Sequence, residues 1–172
     1  DEVTYRTIDL SRASYIDEKA RRVRIGVSSE SEVERSFGLE VLSHKAEDVD
    51  MSFMASGTAP LLNNHRMDEQ IGVVEEFRLD EAAKRTIAVV RFGRSALAQE
   101  VFQDVIDGIK QNISVGYRVN KLEQSNNDEI GDHYRASWTP MEASIVSIPA
   151  DQSKQVGVGR SKSNKTPHIQ VT

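Results

Sequence analysis

The sequence predicts a mainly β protein with accessory helices, built as a largely antiparallel barrel or sandwich. Three observations carry that prediction. Short runs of alternating apolar and polar residues, separated by turn residues, recur along the chain. One run alone has clear helical spacing. There is no cysteine, so any core must be held by packing rather than by disulfides or thiolate-bound metal. At 172 residues a single domain is long enough to bury roughly two thirds of its unfolded surface.

Val23, Ile25 and Val27 alternate with Arg24 and Gly26, the period of a half-buried strand. Ser28 to Ser36 is rich in Ser and Glu and reads as a loop, after which Phe37 to Leu42 resumes extended structure. Lys45 to Met54 suits a short helix. Gly57, Pro60 and the Asn63-Asn64 pair then break any long element before His65. Ile71 to Leu79 and Thr86 to Phe92 form a hairpin across Asp80-Glu81-Ala82-Ala83-Lys84. Ser95 is a helix N-cap, and Leu97, Ala98, Val101, Phe102, Val105, Ile106 and Ile109 follow at three- and four-residue spacing, with Gly108 near the end. Ile113 to Leu122 alternates strictly, with Ile113, Val115, Tyr117 and Val119 on one face and Ser114, Gly116, Arg118 and Asn120 on the other. A polar connection from Glu123 to Gly131 leads to a strand around Tyr134, Ala136 and Trp138. Met141 to Ile148 forms a further strand, stopped by Pro149. The organisation expected is a flexible or partly ordered segment at 1–20, a domain at 21–155 and a flexible tail or linker at 156–172.

The 22 basic and 27 acidic residues give a net charge of −5 with the signs interleaved, which favours solubility and offers no footprint for nucleic acid. The basic clusters at Lys19 to Arg22 and Arg160 to Lys162 lack interleaved aromatics and read as solvated faces or tails. No apolar run approaches a membrane span and no apolar signal segment opens the chain, so a cytoplasmic setting is expected. The chain starts at Asp1 rather than Met, as a trimmed segment of a longer chain would.

Among the four histidines, His44 has a surface-like context, His133 lies in the polar approach to a strand, and His168 falls in the tail. His65 differs, because it sits where a polar turn meets a β run, a junction that holds reactive groups well. Ser114 shares its strand face with Gly116, which removes a side chain two positions away and leaves clearance for a substrate backbone. A serine hydroxyl is a weak nucleophile without a base in reach, and a histidine suits that role. Glu142, among apolar neighbours in Met141 to Ile148, is the candidate to orient the imidazole. Each of the three has an ordinary structural reading when taken singly, and spacing alone does not bring them together. No nucleophile elbow, zinc-protease motif or phosphate-binding glycine loop is present. Asp48-Val49-Asp50 and Asn127-Asp128-Glu129 read as solvated loops rather than cation sites. No cofactor and no metal are expected.

One set of segments adds what spacing does not. Ala59-Pro60-Leu61-Leu62-Asn63-Asn64-His65, Ile71-Gly72, Val105-Ile106-Asp107-Gly108-Ile109, Asn112-Ile113-Ser114-Val115-Gly116-Tyr117, and Trp138 through Asp151 occur in that order. In this the chain resembles the phage prohead maturation serine proteases of the HK97 type, distant relatives of the herpesvirus assemblins. The resemblance spans about Arg22 to Val156. It implies an assemblin-like β-barrel surrounded by helices, with residues 21–155 as the protease domain. It also implies a serine endopeptidase that cleaves scaffold or capsid-precursor segments, and itself, inside the procapsid assembling in the host cytoplasm. Ser114 and His65 fall at the family's nucleophile and base, and Glu142 at its variable third position. By the same resemblance the backbone N–H groups of Ala150 or Asp151 are oxyanion-hole candidates, although the paired arginines of the assemblins are absent there. The implied partner is a capsid or scaffold precursor, with neither nucleic acid nor membrane, and with homo-oligomerisation left open. The rival reading is a non-enzymatic phage scaffold or assembly module on a protease-like fold. A second, a small-molecule esterase or amidase, is disfavoured by the missing nucleophile elbow.

Overall fold

In a computed structural model of the chain, the structure describes residues 4–8, 16–125 and 133–148. Ten strands are present among them: β1 (Thr4–Ile8), β2 (Ile16–Asp17), β3 (Arg22–Ser29), β4 (Val33–Arg35), β5 (Gly38–Leu42), β6 (Pro60–Asn63), β7 (Arg66–Asp80), β8 (Arg85–Phe92), β9 (Asn112–Ser125) and β10 (His133–Val146). They form one sheet in the order β1-β9-β10-β6-β7-β8-β3-β2, with β5 pairing β10 and β4 pairing β5. The sheet curls, bringing β3 back towards β1 and β9, and the inner face becomes the core. Most pairings are antiparallel. The exceptions are β5 and β6, which both run parallel to β10 on the edge away from β9. The expected mainly β architecture is therefore present, with its helical part reduced, among the described residues, to α1 (Ala96–Ile106) and two 3-10 turns at Ala46–Asp48 and Met54–Ser56. No helix of the described residues is long and apolar enough to cross a membrane.

The alternating runs behave as the period-two rule requires. Val23, Ile25 and Val27 of β3 and Ile113, Val115 and Tyr117 of β9 are fully buried on the inner face. The β7–β8 hairpin forms across Glu81–Lys84, with Lys84 in the left-handed region at φ 53°. Helix α1 starts where expected, with the Ser95 Oγ accepting from the Ala98 N–H at 3.2 Å, and it packs Ala98, Val101, Phe102 and Val105 against the sheet. Gly108 ends it at φ 72°, and Ile109, expected on its apolar face, is exposed.

Four local expectations are corrected. Ser28 and Ser29 are the buried end of β3 and Val33–Arg35 is a strand, so the polar run at 28–36 is only partly loop. Lys45 to Met54 forms no α-helix, only the 3-10 turn at Ala46–Asp48 and the first residue of the one at Met54–Ser56. Pro60–Asn63 is not a breaker but strand β6, tolerating its proline at the first position. Finally, the two strands expected on either side of Pro140 are one, β10. Its register with β9 shifts between Pro140 and Glu142, leaving Met141 as an extra residue, and such bulges are where a strand accommodates proline.

His44 is also not a surface residue. Its Nδ1–H donates to the Leu42 carbonyl at 2.9 Å, so Nε2 accepts from the Ser28 hydroxyl at 2.7 Å, and Ser28 in turn contacts Thr86. Its ring lies 5.6 Å from that of Trp138, whose Nε1–H donates to the Ser43 carbonyl at 2.7 Å. Replacing His44 by alanine strips two buried polar groups of a partner and opens a void, which should destabilise the fold by about 1–3 kcal/mol. Urea denaturation followed by circular dichroism measures this.

Candidate active site

The site begins with a hairpin. Asn63 pairs with Arg66, so β6 and β7 are joined by the two residues Asn64 and His65, both left-handed at φ 52° and 59°. Two consecutive left-handed residues make the primed turn that matches strand twist, and Asn and His are among the non-glycine residues that adopt that conformation most readily. The turn is fastened to β10 and its C-terminal extension. The Asn64 N–H donates to the Ile145 carbonyl at 2.9 Å, the Ser147 N–H donates to the Asn64 Oδ1 at 3.2 Å, and the His65 N–H donates to the Ser144 Oγ at 3.1 Å. This turn therefore presents the imidazole over β10.

The bulge at Met141 then decides where Glu142 points. Before it, Ala136 and Trp138 face the core; after it, Ala143 and Ile145 do. Inserting one residue reverses the parity of a strand, so Glu142 and Ser144 are turned to the outer face, where an unbulged strand would aim Glu142 inward. Glu142 is 1% exposed. Its Oε1 accepts from the His65 Nδ1–H at 2.5 Å, and its Oε2 accepts from the Ser144 hydroxyl at 2.7 Å. Because Nδ1 carries the proton in that bond, the neutral ring offers its lone pair at Nε2.

Ser114 lies on β9 directly opposite Ser144, and Gly116 directly opposite Glu142. Residues facing each other across a ladder project to the same face, with Cβ atoms about 4.5–5.5 Å apart. The sheet thus gathers Ser114, His65 and Glu142 on one face, from β9, the β6–β7 turn and β10. Ser114 is 1% exposed, and β1 flanks its strand on the other edge with Thr7 in register opposite it. The room above Gly116 is not an open cleft: a Cβ there would fall on the Glu142 Oε1 and within 2.9 Å of its Cδ and Cγ. Glycine at 116 is what lets the carboxylate lie across β9. Gly116→Ala should therefore push Glu142 off His65, and loss of the downfield His65 Nδ1–H resonance in proton NMR, beside an unchanged circular dichroism spectrum, would show it.

Ala150 and Asp151, the oxyanion candidates, lie outside the described residues. No group of three or more potential metal ligands occurs among the described residues. Sequence reasoning overlooked Ser144, which was visible only as the polar residue two positions after Glu142 on the same strand face.

The curled β-sheet thus carries a serine, an imidazole and a buried carboxylate on one face. The chain belongs to the caudovirus prohead serine protease family, whose model matches residues 28–169. It is 41% identical over 151 residues to the major capsid protein of Halomonas phage phiHAP-1, a match covering 86% of this chain and 24% of that protein. The chain thus spans about a quarter of that relative. Among solved structures, the bacteriophage T4 capsid assembly protease gp21 is similar in fold, with a TM-score of 0.56 and 8% identity, covering 86% of this chain and 98% of that one.

Proposed function

We propose that this chain is a serine endopeptidase of procapsid maturation, with Ser114 as nucleophile, His65 as general base and Glu142 as the group that orients it. The observation that carries the reading is the 2.5 Å bond between His65 Nδ1 and the buried Glu142, on the sheet face that Ser114 shares, in a chain of the prohead protease family. In the proposed mechanism Ser114 Oγ attacks a peptide carbonyl while His65 Nε2 takes its proton, later delivering it to the leaving amine. Glu142 holds Nδ1–H and stabilises the imidazolium without itself accepting the proton. The tetrahedral oxyanion needs backbone donors, for which Ala150 or Asp151 N–H are proposed; losing one such donor costs about 2.7–4 kcal/mol elsewhere.

The substrate proposed is a capsid or scaffold precursor polypeptide, cleaved inside the assembling shell. A relative named as a major capsid protein, four times the length matched, supports a further step in which the protease cuts the chain that joins it to a capsid region. The test is reaction of the folded chain with a fluorophosphonate probe, followed by mass spectrometric mapping. A single adduct on Ser114 is expected, and no adduct, or an adduct on another serine, would overturn the reading.

A further inference from the structure

Resting on that reading of the site, we propose that Ser144 is a positioning residue that locks the base and its carboxylate to each other. A serine hydroxyl has one proton to donate and two lone pairs to accept with. At Ser144 the proton goes to Glu142 Oε2 at 2.7 Å, and a lone pair receives the His65 backbone N–H at 3.1 Å. The side chain is fully buried, so water does not compete for either bond. One oxygen atom therefore ties the backbone that carries the imidazole to the carboxylate that orients it, closing a ring with the His65 Nδ1–Glu142 Oε1 bond.

The ring fixes two freedoms that the sheet ladder leaves open. Glu142 can still turn about its terminal torsion, which is broad for a carboxylate. His65 sits in a two-residue turn whose left-handed conformation is uncommon for a side-chain-bearing residue. Loss of the hydroxyl leaves Oε2 buried without this donor and the His65 N–H without this acceptor. The strand itself has no need of the hydroxyl, because Ser144 keeps its register with Ser114 and Leu62 through backbone bonds.

A double-mutant cycle separates positioning from simple packing. The second-order rate of fluorophosphonate labelling of the full chain is measured for the parent, Ser144→Ala, Glu142→Gln and the double variant. Ser144→Ala should slow labelling on the order of 10²-fold in the parent and less than about threefold in the Glu142→Gln background, since the carboxylate–imidazole bond that Ser144 supports is already lost there. Proton NMR of histidine-labelled protein adds a readout independent of turnover. The His65 Nδ1–H resonance, shifted downfield by its short bond to the carboxylate, should move upfield or broaden in Ser144→Ala. Equal slowing in both backgrounds, or an unmoved resonance, would overturn the role of Ser144 alone. A parent chain that fails to label at Ser114 would remove the triad reading and this inference together.

Discussion

Ser114→Ala is expected to abolish peptide hydrolysis, with a fall in kcat of about 10⁶-fold, and to leave the fold in place. The magnitude follows from removing the one atom that, in the proposed mechanism, forms the covalent bond: what remains is the residual catalysis of binding and oxyanion donors. The structural cost is small because alanine keeps the strand and removes a single oxygen. Ile113 and Val115, its neighbours in β9, remain packed on the core face. Incubating the variant with the capsid precursor and following products by gel and mass spectrometry measures the first half, and thermal denaturation the second. Processing at the parental rate would show that the serine hydroxyl is not the nucleophile.

Glu142→Gln should lower kcat by about 10⁴-fold at nearly unchanged stability, the size of effect seen when a triad carboxylate becomes an amide. Here the local hydrogen bonds say why. Ser144 donates its proton to the outer oxygen of the side chain, so an amide settles with its oxygen towards Ser144 and its NH2 towards His65. That NH2 donates to Nδ1, which then has no proton, and the ring proton moves to Nε2. A ring protonated at Nε2 has no lone pair there to receive the serine proton. Raising the pH should not restore the rate, because the defect is a tautomer and not a titration. A pH–rate profile of the variant, flat in its deficit, is the result to look for.

Much of the fold was legible because period-two alternation is a local signal. β3, β7, β8 and β9 and the Ser95-capped helix could be read from neighbouring residues alone. What was illegible depended on pairing partners. Pro60 to Asn63 looks like a string of breakers, yet it is a strand because β10 and β7 lie on either side of it. His44 looks exposed beside Ser43 and Lys45, but it is buried against Ser28, Thr86 and Trp138, two of which come from strands remote in sequence. The direction of Glu142 illustrates the difficulty best. Alternation counted from Trp138 puts it on the core side, and only the extra residue at Met141 turns it outward. His65, Ser114 and Glu142 could be nominated from residue type and linked through family resemblance. Their convergence is a matter of register, which a single sequence does not state.

The parallel pairing of β6 with β10 joins segments that the ribosome makes far apart in time. His65 and Glu142 are 77 residues apart in sequence, and the bond between them waits for the last described strand to be synthesised and threaded beside one of the middle ones. Long-range parallel pairing of this kind is slow, because loop closure must be met before any contact rewards it. The proposed catalytic pair thus has a built-in delay. A nascent or half-folded chain holds an imidazole without its carboxylate, and it gains the pair only when its own sheet is whole.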